Sequence, residues 1–196
     1  MKRICVFCGS GLGRKPEYIE AAKNLGDTLA RHHIGMVFGG GQVGLMGVIA
    51  QAVHQHKGEV IGVIPQALYD KEVAFTDLPD LRIVKSMHER KALMEKLSDG
   101  FIAMPGGLGT IEEFFEVLTW AQLGMHGKPC GILNVCHYFD KLINFLDNVV
   151  NQGFIEPEHR DIILIDENPE SLLKKFKAYL PPKADKAKWA LEMMNS

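Results

Sequence analysis

The chain has 196 residues, 46% of them hydrophobic, with a formal net charge of -2 and a pI near 6.4. That length suffices for one buried core, and the near-neutral charge excludes a protein that grips nucleic acid polymers by bulk phosphate neutralisation. No apolar run approaches membrane-spanning length, and Gly9 and Ser10 interrupt the basic start MKRICVFCGSG before a signal-peptide core forms. The expectation is therefore a cytoplasmic protein with no membrane partner.

In chain order, a strand is predicted at 2–8, then a helix at 16–33 that opens at Pro16 and carries Ile19, Ala22, Leu25, Leu29 and Ala30 on one face. A second strand, Ile34 to Phe38, runs into Gly39-Gly40-Gly41 and a helix with Leu45, Ile49, Ala50 and Val53 inward. A third strand, Glu59 to Ile64, stops at Pro65, and residues 66–80 lack a period and read as a long loop of functional-flap type. A short strand near 81–84 precedes a helix opened by Ser86, with Glu89 three residues on as a capping box. Phe101 to Met104 is a strand ending in Pro105-Gly106-Gly107-Leu108-Gly109-Thr110, before a helix that reaches about Leu123. Cys130 to Val135 forms a strand and Tyr138 to Val150 a helix, with Phe139, Leu142, Ile143 and Leu146 at helical spacing. Ile162 to Ile165 is the last strand, and Asn168-Pro169 caps and starts a helix from Glu170 to Tyr179.

Strand and helix alternate, and the strands are near-continuously apolar. The predicted fold is α/β: a doubly wound, Rossmann-like parallel sheet with helices on both faces. Residues 1–180 read as a single domain and 181–196 as a charged C-terminal tail. Cys5, Cys8, Cys130 and Cys136 are too few for a disulfide scaffold, and the Cys5-x-x-Cys8 pair lies in a strand rather than at a helix start. The eight histidines form no H-E-x-x-H, so no metal site is predicted.

Ligands of such sheets sit outside the carboxyl ends of the strands, which singles out the loops Gly9 to Gly13, Gly39 to Gly47 and Pro105 to Thr110. Each joins a strand to a helix, so backbone N–H groups and the positive helix end can face an anion. Glycine also serves plain turns, but three such loops at one sheet edge favour a phosphate site. Gly39, Gly41 and Gly44 match G-x-G-x-x-G and raise a dinucleotide alternative. Glu59, the acid available for a ribose, begins its strand instead of following it, which favours a mononucleotide.

From Ser86 the chain reads SMHERKALMEKLSDGFIAMPGGLGTIEEFFEVLTWAQLGMHGKP. This segment resembles the "Lonely Guy" (LOG) phosphoribohydrolases. The family's P-G-G-x-G-T-x-x-E stands at Pro105 to Glu113, its Arg-Lys pair at Arg90-Lys91 and its T-W-A-Q-L-G at Thr119 to Gly124. FCGSG at Phe7 to Gly11 and GGGQVGLMG at Gly39 to Gly47 extend the likeness upstream, so that it covers nearly the whole chain up to about residue 180. The resemblance implies hydrolysis of adenine-type nucleoside 5′-monophosphates, including N6-prenylated cytokinin nucleotides, to free base and ribose 5-phosphate, without a cofactor and in a homodimer. It implies nucleotide contacts at Glu72, Lys91, Gly107, Leu108, Gly109, Thr110, Ile111, Glu112 and Thr119, with Ser10, Gly11, Gly41 and Gly44 in the glycine loops. Glu113 and Arg90 are the implied catalytic pair.

The chemistry suits those residue types. Breaking a ribosyl C–N bond builds oxocarbenium character, which a carboxylate beneath the ring stabilises while it holds water. Glu113 fills that role, although Thr110-x-x-Glu113 also reads as a capping box. Arg90 offers a permanent cation for phosphate or for the carboxylate. The rival readings are a phosphorylase or phosphoribosyltransferase, and a nucleotide-binding or carrier module without hydrolysis.

Overall fold

The computed structural model describes residues 1–71 and 74–182. Seven strands form one parallel sheet: β1 (Arg3–Phe7), β2 (Gly35–Phe38), β3 (Val60–Pro65), β4 (Asp80–Val84), β5 (Phe101–Ala103), β6 (Cys130–Leu133) and β7 (Ile163–Asp166). Their order is β4-β3-β2-β1-β5-β6-β7. The chain therefore builds outward from β1 to one edge, then returns to β1's other side with β5. Between β1 and β5 the winding reverses, and a crevice opens there at the carboxyl ends.

The helices are α1 (Pro16–Arg31), α2 (Gly44–Gln55), α3 (Gln66–Tyr69), α4 (Met87–Leu97), α5 (Leu108–Gln122), α6 (Asp140–Asn151), α7 (Pro157–Arg160) and α8 (Pro169–Ala178). Side chains along a strand alternate between faces, and β1 shows it. Ile4 and Val6 join a core layer with Leu25, Leu29, Ile49, Leu172 and Phe176 from α1, α2 and α8. Cys5 and Phe7 join the opposite layer with Met94, Phe114 and Val117 from α4 and α5. The sheet is covered on both faces, as the double winding requires.

Local chemistry fixes the helix starts. Ser86 Oγ accepts from Glu89 N at 3.1 Å, and the Glu89 carboxylate accepts from Lys85 N at 2.8 Å, one residue before the box's usual partner. Asn168 Oδ1 caps α8 by accepting from Glu170 N and Ser171 N.

Three segments differ from the sequence expectation. The 66–80 loop contains α3, and Phe75 N donates to Gly40 O at 2.8 Å, so the segment is tied back over the second glycine loop. A run of four helical residues carries too little periodicity to be read, which also hid α7. The helix expected from Tyr138 begins only at Asp140, after a 3-10 turn at Val135–His137 in which Cys136 (φ 51°) and His137 (φ 58°) are both left-handed. Glu72 and residues 183–196, the bulk of the charged tail, lie outside the described residues. Among those described, no helix is long and apolar enough to cross a membrane.

Candidate active site

The loops after β2, β1 and β5 lie side by side, and backbone bonds lock them together. Gly9 N donates to Pro105 O at 3.0 Å and Leu45 N to Gly9 O at 3.0 Å. Gly44 has φ +63°, and a Cβ there would overlap the Ser10 backbone, so its glycine is a packing requirement of two loops in contact. A cavity of about 410 Å³ opens beside them. Its walls include Ser10, Gly39 and Gly41, the start of α5 from Gly107 to Thr110, the apolar Val43, Met46, Ile64 and Leu68, and the charged pair Arg90 and Glu113.

Arg90 sits in the first turn of α4, which Ser86 starts at the carboxyl edge of the sheet. Its Nε donates to Val63 O at 3.1 Å and its Nη1 lies 2.8 Å from Glu113 Oε1. The two side chains are only 9% and 12% exposed, which makes this a buried pair rather than a surface one. The guanidinium passes directly over Gly39, where any Cβ would overlap Nη2. Burial pushes the Glu113 carboxyl above its ordinary value of 4.5, and Arg90 opposes that rise.

The capping-box reading of Glu113 is overturned. Helix α5 begins at Leu108 with Gly107 as its N-cap, so Thr110 already lies inside the helix and Glu113 in its second turn. Gly107 supplies no side-chain cap, which leaves the N–H groups of the first turn for another acceptor. The glycines here divide by what surrounds them. A Cβ on Gly106 would overlap Thr110 Oγ1, whereas a Cβ on Gly107 or Gly109 would meet nothing within 4 Å. Protein packing explains the first; open space for a ligand at the backbone explains the other two.

Of the residues singled out in the sequence, the cavity gathers Ser10, Gly41, Arg90, Gly107, Leu108, Gly109, Thr110 and Glu113. Gly11 lies in an adjoining cleft. Ile111 is not among the cavity's walls. Lys91 Nζ is held 2.6 Å from Glu112 and 3.0 Å from Glu116, which raises its pKa and clamps α4 to α5 outside the cavity. Thr119 Oγ1 donates to Phe115 O at 2.8 Å, and the residue lines a separate groove with Leu146 and His159. Cys8, which sequence reasoning placed in the core, forms part of the cavity wall; burial pushes its thiol well up, so it is a neutral wall and no nucleophile. Cys5 and Cys8 are both free thiols. Glu59 pairs with Arg3 at 2.8 Å just before β3, at the end of the strands away from the glycine loops, so it is not placed to serve the G-x-G-x-x-G as a ribose acid. Among the described residues, no group of three or more His, Cys, Asp or Glu is placed to hold a metal ion.

Fold and site define a doubly wound α/β protein with an arginine-held carboxylate in its switch-point cavity. A family profile described as "possible lysine decarboxylase" matches residues 46–176. The cytokinin riboside 5′-monophosphate phosphoribohydrolase LOG3 of Arabidopsis thaliana is 49% identical over 92% of this chain and 84% of its own length. LOG1 of the same plant is 48% identical over 98% and 92%, and the probable enzyme LOGL2 of Oryza sativa subsp. japonica 47% identical over 99% and 81%. The chain belongs to this LOG family of phosphoribohydrolases. Among solved structures, a molybdenum cofactor binding protein from Rippkaea orientalis superposes with a TM-score of 0.67 over 91% of this chain and 97% of that one, at 22% identity. The molybdenum cofactor carrier protein from Chlamydomonas reinhardtii does so with 0.66 over 91% and 99%, at 17%. At those identities the likeness shows the fold alone.

Proposed function

We propose that the chain hydrolyses the N-glycosidic bond of adenine-type nucleoside 5′-monophosphates, releasing free base and ribose 5-phosphate, through a single domain spanning about residues 1–180. The observation that carries this reading is the buried Arg90–Glu113 pair in the same cavity as the uncapped start of α5. The 5′-phosphate lies against the N–H groups of Gly107 to Thr110, where the helix end favours an anion. Ser10 and Gly41 face the same space. Glu113 stabilises the developing oxocarbenium ion and holds the attacking water, and Arg90 fixes the carboxylate. Val43, Met46, Leu68 and Leu108 give the cavity an apolar side suited to an N6 substituent of the kind cytokinin nucleotides carry.

A lysine decarboxylase of the pyridoxal type needs a lysine for its Schiff base. Among the described residues, none lines this cavity. A binding-only carrier would use the glycine loops but leave the buried carboxylate without work.

The phosphate seat sets a large discrimination. Two charge-assisted bonds of about 1.5–3 kcal/mol each make kcat/KM for AMP exceed that for adenosine by about a hundredfold or more. Chromatography of the released adenine measures both rates, and equal values would remove the phosphate from the mechanism. Ribose 5-phosphate as the sugar product identifies water as the nucleophile; ribose 1,5-bisphosphate would mean phosphorolysis.

We further propose a cytoplasmic homodimer. Trp120 packs partly on the core, while Leu123 and Met125 are 54% and 69% exposed at the end of α5, an apolar surface suited to a second copy. Light scattering at micromolar concentration should give twice the chain mass. A species at 21.8 kDa would reject the dimer.

A further inference from the structure

We propose that Tyr138, outside the motifs above, is a positioning residue for the glycine turn: its hydroxyl fixes the Gly106–Gly107 peptide so that the Gly107 N–H is presented to the 5′-phosphate. This rests on the reading of the α5 start as the phosphate seat.

The carbonyls of that turn are anchored one by one. Pro105 O accepts from Gly9 N and Gly107 O from Ile111 N. Gly106 O accepts from the Tyr138 hydroxyl at 2.6 Å, a side-chain anchor between two backbone ones. In a planar trans peptide the C=O and the following N–H point in opposite directions, and the chain has no cis bonds among the described residues. Holding Gly106 O toward the phenol therefore turns the Gly107 N–H away from it. Glycine at 107 has no side chain to bias that plane, and open space surrounds it. Without the phenol, the peptide is free to rotate.

Tyr138 is itself held with care. It follows Cys136 and His137, two successive left-handed residues that are not glycine, a disfavoured conformation that persists only when its surroundings impose it. Asn134 imposes it: its side-chain oxygen accepts from Phe139 N at 2.8 Å and its amide donates to Asp140 at 2.7 Å. The Tyr138 ring then packs edge-on against Tyr18, with centroids 5.9 Å apart. Tyr18 in turn covers Gly13, where a Cβ would strike its ring. The two tyrosines line the cleft beside the cavity, together with the β1 and β5 loops.

The test compares kcat/KM for AMP and for adenosine in the wild type, Tyr138→Phe and Asn134→Ala, with melting temperatures alongside. Losing one neutral hydrogen bond should lower the AMP value roughly three- to tenfold and leave adenosine unchanged, so the ratio shrinks by that factor. Asn134→Ala, with the phenol intact but its turn released, should shrink it similarly. A merely structural role lowers both substrates together. A large wild-type ratio that stays unchanged in Tyr138→Phe overturns the inference and leaves the phosphate seat standing. A wild-type ratio near one removes the phosphate seat and this inference with it.

Discussion

Glu113→Gln is expected to lower turnover by about a hundredfold or more, equivalent to at least about 2.7 kcal/mol of transition-state stabilisation, with nucleotide affinity largely retained. The side chain keeps its size and can still accept from Arg90, so ground-state contacts change little. What disappears is the charge facing the oxocarbenium ion. The pH profile gives a second readout. Burial raises the carboxyl's pKa above 4.5 in the free enzyme, so the acid limb of wild-type kcat/KM should lie above the ordinary glutamate range. The linked stability has the opposite sense: the folded chain binds this proton more tightly than the unfolded chain does. That contribution is fully present below pH 4.5 and is lost as pH rises through the folded value. Glu113→Gln removes both dependences. Near-wild-type turnover with an unshifted acid limb would end the carboxylate's part in the mechanism.

The fold was legible because parallel strands buried on both faces spell apolar runs, as the inner strands β3, β2, β1, β5 and β6 do, while the edge strands β4 and β7 are only partly buried and carry the weaker signal of mixed runs. The cavity was legible at its glycines for a related reason: a strand, a glycine loop and a helix start form one local unit in the chain. What escaped were relations across the fold. Sequence placed Lys91 beside Arg90 as a nucleotide contact, yet helical geometry turns neighbours about 100° apart, so one side chain enters the cavity while the other meets Glu112 and Glu116. The same rotation carries Thr119 off the face that bears Glu113. Thr110-x-x-Glu113 imitated a cap because the true helix start lies earlier, at a glycine with no side chain to announce it. Tyr138 gave no signal, since its partner is a carbonyl 32 residues away and its turn is left-handed at residues that do not advertise it.

Arg90→Ala and Gly39→Ala should fail in the same way from opposite sides of one contact. Removing one partner of a buried ion pair costs about 3–5 kcal/mol of stability when the other remains charged. Here protonation of Glu113, already favoured by burial and no longer opposed by the arginine, limits that loss. It also moves the acid limb of kcat/KM further up. Gly39→Ala leaves the cation in the chain but sets a methyl group where Nη2 lies, so the guanidinium must swing away from Glu113 and from Val63 O. Turnover should therefore drop about a hundredfold in Arg90→Ala and at least tenfold in Gly39→Ala, with the smaller stability loss in the second. Because the arginine acts through the carboxylate, Arg90→Ala combined with Glu113→Gln should be little slower than either alone. Turnover, AMP affinity and melting temperature measured together for these variants separate a positioned pair from two independent contributions. Full turnover in Gly39→Ala, or multiplying losses in the double variant, would show that the pair does not act as a unit.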